Sequence, residues 1–345
     1  MALRFGWMDR GKVSLLVLFG LPLVLLVLVP RAVLLTFAGI LIAVGLRGLA
    51  DPLARRAKIP RSLAMGLVML AIGGLLWGLG YAAAAPLSEQ VDKLIKALPG
   101  TWTKLREIAN QYEWASALLD QVKPAEVVGQ GQQAAQIAGT AIFGTVGLLG
   151  DALFLLLIGV YLATGPSTYL TGLSDLLAPA LRTRFDHTLM DVGQTLRSWL
   201  AGQLLAMVLV GVATSLGLWL IGMELAFVLG ALAGLLNFIP TIGAFLGAVP
   251  ALLLALAQGP ELVLPVAGLF LAIQFIEGNF LTPMVQSRAA DVPPALLLAF
   301  QLMMGALFGL LGLALAAPLL AVLLVVVRRG YVQGFLRGEE SRPEK

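Results

Sequence analysis

Two very long apolar runs limit what this sequence can fold into. Residues 225–257 and 295–327 are each 33 residues of almost uninterrupted apolar sequence. A helix needs about 20 residues to cross a hydrocarbon core of about 30 Å, so each run is longer than one simple span. Only 12% of the residues are charged, about half the share in soluble proteins. The sequence therefore predicts an integral membrane protein.

The composition also excludes most catalytic and metal chemistry. The sequence has no cysteine and one histidine, which excludes disulfides, zinc-thiolate sites and iron–sulfur clusters. It contains no Walker A, His-Glu-x-x-His or Gly-x-Ser-x-Gly motif, and no second intramembrane aspartate that could pair with Asp151. We expect no catalytic residue, no metal site and no cofactor, and assign no role to His187.

Further apolar runs give the expected architecture. The first run is followed closely by a second and lacks a small-residue cleavage site, which favours a span over a signal peptide. The fold class predicted is an all-α polytopic membrane protein with six full spans and two long broken segments, or with eight spans. The ordinary runs are 13–29, 32–46, 63–85, 137–163, 200–221 and 262–281.

The distribution of basic residues predicts the orientation. Residues 1–12, 47–61 and 328–345 hold most of the Lys and Arg and flank apolar runs, as cytoplasmic segments do. Residues 86–135 have no such basic excess, so we expect them outside. Both termini are then cytoplasmic. Lys and Arg residues placed beside apolar runs do not form a nucleic-acid-binding surface, so no nucleic-acid partner is expected.

These patterns divide the chain into six regions. The amphipathic helices are expected to pack on each other, on the lipid bilayer or on a neighbouring subunit of a homo-oligomer; an extracytoplasmic docking module is the alternative for the first set. The regions are 1–85 with three spans, 86–136 with extracytoplasmic amphipathic helices, 137–165 with the fourth span, 166–198 with cytoplasmic amphipathic helices, 199–327 as a transport core with broken helices, and 328–345 as a basic tail.

Both long runs contain residues that break helices. The first is interrupted at Asn237-Phe238-Ile239-Pro240 with Gly243 just after, and the second by Gly305, Gly309, Gly312 and Pro318. Residues 230–236 and 305–311 agree at six of seven positions, which suggests a weak internal repeat. Each run is either a tilted, kinked span or a re-entrant hairpin; we favour hairpins.

Polar residues at these breaks are the candidate solute pathway. A charged side chain at the bilayer centre costs about 2.5–3.5 kcal/mol on insertion scales, and only Asp151 and Glu277 interrupt spans in this way. Either carboxylate could also lie at the membrane surface, near the end of its span. We predict a solute or ion pathway lined by Asn237, Pro240, Gly243, Gln274, Glu277 and Asn279, with Asp151 and Arg288 as candidate charge partners.

Several motifs resemble one transporter family. The runs LRSWLAGQLL (196–205), GLWLIG (217–222), GLLNFIPTIG (234–243), EGNFLTP (277–283) and GALFGLLG (305–312) are similar to those of the AI-2E family, also called PerM-like permeases. Ser287 departs from the pattern, since the family usually has glycine there. The resemblance covers most of the chain.

The resemblance implies a secondary permease of the bacterial inner membrane that moves a small polar solute. Members have been linked to export of an autoinducer-2-like signal, and others to sodium/proton antiport, so H⁺ or Na⁺ is an implied partner. A non-transporting oligomeric scaffold or pore is the alternative from a different class. Polar residues at helix breaks favour transport, because a scaffold does not need them.

Overall fold

The computed structural model describes residues 20, 24–75, 77, 78, 81, 146–281 and 293–329, and this part of the chain is helical with short turns and no strand. The expected spans 13–29 and 63–85 are described in part, and the region 86–136 lies outside the described residues. The helices are α1 (Pro30–Ala57), α2 (Arg61–Leu75), α3 (Val146–Thr164), α4 (Pro166–Asp175), α5 (Pro179–Ile221), α6 (Ala226–Leu236), α7 (Ile242–Gln258), α8 (Pro260–Ile276) and α9 (Pro294–Val326).

Local sequence explains the ends of α1. Pro30 occupies the first turn, where its missing N–H costs no hydrogen bond. At the other end, Lys58 takes the left-handed conformation with φ 53°, after Arg55 and Arg56 in the last turn. The apolar run at 32–46 is therefore only the first part of a longer helix, which continues through most of the basic cluster at 47–61.

The chain divides into two compact units, and the first has two apolar cores. This unit comprises residues 1–71, 151–204 and 280–345. In one core, Ala43 and Leu46 of α1 pack with Ala64 of α2 and Ala163 of α3. In the other, α1 packs with α5 and α9 through a buried set that includes Leu34, Leu41, Leu196, Met304, Leu315 and Ala316.

The fourth expected span ends in a sharp bend. The part of α3 from Leu153 to Thr164 meets α4 at an angle of 82°. Gly165 is the only residue between the two helices, and Pro166 cannot donate a backbone hydrogen bond to α3. The carbonyl of Ala163, in the last turn of α3, accepts a 2.9 Å hydrogen bond from Nε of Arg47. The bend is thus closed by a side chain from α1.

Helix α5 joins two regions that the sequence analysis had separated. Amphipathic helices were expected up to residue 198 and a span from 200, but Pro179–Ile221 is one helix of 43 residues. At about 1.5 Å per residue it is about 64 Å long, roughly twice the hydrocarbon thickness of a bilayer. The proposed boundary at 198/199 falls inside this helix.

The second unit comprises residues 72–150 and 205–279. In it, α6 and α7 fold back on each other after the break in the first long run. A Cβ on Gly247 of α7 would lie 2.9 Å from Cα of Ala233 in α6. Leu229 of α6 shares a buried cluster with Ala251 and Leu254 of α7, which lie one and two turns after Gly247. Residues 226–258 therefore form a helical hairpin.

Small residues let α6 approach α5 closely. A Cβ on Gly230 would lie 2.7 Å from Cα of Ser215, and a Cβ on Gly234 would lie 2.9 Å from Cα of Gly211. Glycines four residues apart on α6 thus face small residues four residues apart on α5. This is the small-residue packing typical of helices in membranes.

Helix α9 also folds back, at Gly309. This residue has φ 63° and ψ −149°, a backbone conformation open almost only to glycine. A Cβ on Gly305 would lie 3.9 Å from Cβ of Leu313, eight residues later, although eight residues of straight helix span about 12 Å. A Cβ on Gly312 would collide with the carbonyl of Met304. Pro318 is buried within the second half.

The suggested repeat is not a structural one. Gly309 is the turning point of α9, whereas its counterpart by sequence, Gly234, is a regular helical residue of α6. The described residues contain four helices long and apolar enough to cross a membrane, or five when the bent α3–α4 pair is taken as one span.

Candidate functional site

The break between α6 and α7 is a compact turn. Pro240 has no backbone N–H, so it removes one hydrogen bond that a continuing helix would make. The N–H groups of Phe238 and Ile239 bond the carbonyls of Leu235 and Leu236 at 3.1 and 3.0 Å. Thr241, with φ 68°, then redirects the chain into α7. The turn leaves Asn237 at the end of α6.

Asn237 is joined to Glu277 inside the protein. Nδ2 of Asn237 donates a 2.9 Å hydrogen bond to Oε1 of Glu277. Asn237 is fully buried and the exposed fraction of Glu277 is 8%. Glu277 opens a π-helical turn, Glu277–Leu281, directly after α8. The bond therefore ties the break of the hairpin to the end of α8.

The electrostatic surroundings of this pair are unusual. Residues 198–287 contain no Lys, Arg or His. Between residues 205 and 281 the charged side chains are Glu224, Glu261 and Glu277; Glu224 precedes α6, and Glu261 lies in the first turn of α8. Oε2 of Glu277 is buried and has no hydrogen-bond partner in the described part of the chain. Within the described residues, the hydrogen-bond partner of this buried carboxylate is one neutral amide.

The other predicted pathway residues are placed differently. Gln274, one turn before Glu277, is half-buried. Asn279 is exposed, and its Nδ2 donates a 2.8 Å bond to the carbonyl of Phe275 in the preceding turn. Gly243 packs against the carbonyl of Leu236, where a Cβ would collide with it. This glycine allows the two half-helices to approach closely, rather than holding them apart.

Two candidate charge partners remain predictions. Asp151 belongs to α3, and its side chain lies outside what the structure describes, as does Arg288. Among the hinge candidates of the second run, only Gly309 departs from helical geometry.

Several buried polar groups were not singled out from the sequence. The side chains of Gln203, Thr214 and Gln301 are almost completely buried, at 6%, 0% and 0% exposure. Arg47, which we had placed in a cytoplasmic cluster, closes the end of α3. A polar residue inside an apolar run was the available signal for the first three. No such signal existed for Arg47, because its partner is a backbone carbonyl far away in sequence.

Among the described residues, no group of three or more His, Asp or Glu side chains comes together. What the arrangement provides is one carboxylate, one amide and a broken helix in an apolar surrounding. Such breaks are where membrane transporters bind solutes and ions.

Comparison with known proteins shows which family shares this organisation. The model of the AI-2E family transporter family matches residues 14–331. YueF of Bacillus subtilis, provisionally named a transport protein, is 26% identical over 333 residues, covering 92% of this chain and 90% of YueF. PerM of Escherichia coli K12, provisionally named a permease, is 25% identical over 305 residues, covering 84% of this chain and 86% of PerM.

A third relative matches over a shorter length. YrrI of Bacillus subtilis, also provisionally named a transport protein, is 35% identical over 146 residues, which cover 42% of this chain and 41% of YrrI. The family match, by contrast, extends over nearly the whole chain, from the first expected span to the end of α9. The resemblance of the sequence motifs is thus confirmed, and the chain is a multi-pass membrane protein that belongs to the AI-2E family of transporters.

Proposed function

We propose that this protein is a secondary transporter that exports a small polar solute, such as an autoinducer-2-like signal, and couples the flux to an ion gradient. The solute pathway runs past the break between α6 and α7. The observation that carries the proposal is the buried hydrogen bond between Asn237 and Glu277. A scaffold would gain nothing from this pair, because burying a carboxylate in an apolar interior is costly.

The α6–α7 hairpin is the element that opens the proposed pathway to each side of the membrane. Its turn at 237–241 ends both helices among apolar residues of α6 and α7, so the Asn237 amide and the Glu277 carboxylate meet there without unfolding a complete span. The carboxylate of Glu277 supplies the charge to which an ion can respond. A helical hairpin that moves against α8 would expose the pair first to one side of the membrane and then to the other.

The surrounding architecture follows from the same proposal. We infer that the protein lies in the inner membrane with both termini in the cytoplasm, because the three basic segments flank apolar runs. The bent α9 and the α6–α7 hairpin are proposed to be re-entrant, which leaves six full crossings. The protein is proposed to function as a homo-oligomer.

Transport in reconstituted liposomes tests the function. The purified chain is placed in vesicles, and efflux of a panel of small polar solutes is followed with no gradient, with a pH gradient and with a sodium gradient. We expect efflux of at least one solute, and its acceleration by one of the two gradients. Sodium/proton exchange in the absence of any solute would instead identify an antiporter.

Two variants and a matched control locate the pathway. Asn237→Ala and Glu277→Gln should each lower the efflux rate at least tenfold while membrane assembly stays normal. Glu261→Gln makes the same acid-to-amide change at the start of α8, 16 residues from Glu277, and should leave the rate unchanged. Efflux at the unmodified rate in both pathway variants would remove the pair from the transport route. Absence of efflux for every solute and gradient would favour a scaffold.

A further inference from the structure

The hydrogen bonds at the break limit which ion the site can take. The carbonyls of Leu235 and Leu236 already accept N–H groups of the turn, and those of Ile239 and Pro240 accept from Gly243 and Ile242, each at 2.8 Å. A metal cation bound inside a protein needs several oxygen ligands to replace its water shell. These four carbonyls each already accept one hydrogen bond, and in the described part of the chain no group of three or more His, Asp or Glu side chains comes together to supply the remaining ligands.

A proton needs only one oxygen, and the site offers it. One oxygen of Glu277 accepts the Asn237 amide, and the other, Oε2, is buried with no partner in the described residues. We propose that Oε2 of Glu277 binds a proton and that this proton is the coupling ion of the transporter, an inference that rests on the function proposed above. The reaction is a simple protonation: Oε2 takes one H⁺, and the carboxylate becomes a neutral carboxylic acid.

The surrounding elements hold no other group that could serve. In the described part of the second unit, neither α6 nor α7 nor residues 205–221 of α5 carries a charged or titratable side chain. Glu261 is on the same helix as Glu277 but about 24 Å away along its axis. Glu224 precedes α6, at the end opposite Asn237. Among the residues that the structure describes, Glu277 is therefore the single titratable group at the break.

Protonation would also change the tie between the hairpin and α8. A hydrogen bond to a charged acceptor is stronger than one to a neutral acceptor. Once Glu277 is neutral, the bond from Asn237 weakens, and the turn at 237–241 is held less firmly. Proton binding thus favours movement of the hairpin, which links proton flux to solute flux.

Infrared difference spectroscopy on the full-length protein in liposomes tests proton binding without any solute. As the pH is lowered, we expect a carbonyl band of a protonated carboxylic acid that is absent in Glu277→Gln and retained in Glu261→Gln. Glu277→Asp, which keeps a carboxyl group, should retain a band at a shifted midpoint. Replacing sodium by choline should leave the midpoint of the wild-type protein unchanged.

Three spectroscopic results would overturn the proposal. A band that persists in Glu277→Gln would belong to another carboxyl group. A midpoint that falls as sodium is added would mean that a metal cation competes for the carboxylate. Absence of the band would mean that Glu277 does not change its protonation state over the pH range, as when pairing with Arg288 keeps it ionised. Because this readout needs no transport, it can fail while efflux persists, or succeed while every solute fails to move.

Movement of the turn gives a second readout. The sequence has no cysteine, so Thr241→Cys introduces a single thiol at the turn. The labelling rate of this thiol is corrected for the pH dependence of its own ionisation. The corrected rate should differ at least threefold between pH values above and below the midpoint of the infrared band. In the Thr241→Cys/Glu277→Gln double variant that change should disappear. A pH-dependent change that survives in the double variant would rule out Glu277 as its origin.

Discussion

Nε of Arg47, within α1, donates a 2.9 Å hydrogen bond to the carbonyl of Ala163 in the last turn of α3. Arg47→Met keeps the length and apolar stem of the side chain but removes every donor. We expect the free energy of unfolding to fall by about 1.5–3 kcal/mol, the usual range for a hydrogen bond to a charged group. Thermal unfolding in detergent measures it. Arg55→Met, on the exposed surface of the same helix, is the control, and an equal loss in both variants would contradict the role given to Arg47.

Gly309 is a second position at which a single substitution should lower the stability of the protein. Gly309→Ala places a Cβ on a backbone with φ 63° and ψ −149°, which costs about 1–3 kcal/mol. The lower unfolding temperature should be accompanied by increased proteolysis of α9 in detergent. Gly305→Ala serves as the comparison, because its Cβ would make an ordinary contact of 3.4 Å with Leu313. Equal tolerance of the two substitutions would contradict a sharp turn at Gly309.

Close packing of α5 against α6 predicts a steric effect. A Cβ on Gly230 would lie 2.7 Å from Cα of Ser215, so Gly230→Ala must push the two backbones apart. Overpacking of this kind costs about 1–3 kcal/mol. A lower detergent unfolding temperature and more aggregation after heating are expected. Gly268→Ala has no atom within 4 Å of the new Cβ and should be nearly neutral, so a similar defect there would point to a general effect of alanine.

The proposed orientation predicts opposite labelling of two engineered cysteines. Gln111→Cys should react with an impermeant maleimide added to intact cells, since residues 86–135 are expected outside. Ser341→Cys, in the basic tail, should react only after the cells are opened. Reaction of Ser341→Cys in intact cells would reverse the topology, and protection of Gln111→Cys in them would remove 86–135 from the outer side.

The sequence was most informative where the backbone itself is interrupted. The cluster of Asn237, Pro240 and Gly243 located the break in the first long run before its structure was known, whereas Pro250 in the same run lies inside α7. In the second run four residues were candidates, and only the backbone geometry distinguishes Gly309, because glycine tolerates both helical and left-handed conformations. The continuity of α5 was missed, since no proline lies between Pro179 and Ile221 to mark or exclude a boundary, and both parts share the helical period.

The sequence singled out both residues of the buried pair but not the contact between them. Asn237 and Glu277 were both expected in the pathway because each interrupts an apolar run. Their mutual hydrogen bond depends on how the hairpin packs beside α8, and no local pattern encodes the approach of residues 40 positions apart. Asn279 has the same polarity as Asn237, yet it bonds its own helix and stays exposed. The presence of an amide side chain alone could not predict which of these two asparagines is buried.

The 82° bend at Gly165 gives α4 a direction that its sequence also suits. If α3 follows the membrane normal, α4 must run almost parallel to the bilayer plane. Its exposed apolar side chains, Tyr169, Leu170 and Leu173, can then enter the boundary between headgroups and acyl chains, as those of interfacial helices do. An interfacial helix in this position fixes the depth of α3 in the bilayer. It also opposes translation of α3 along the membrane normal.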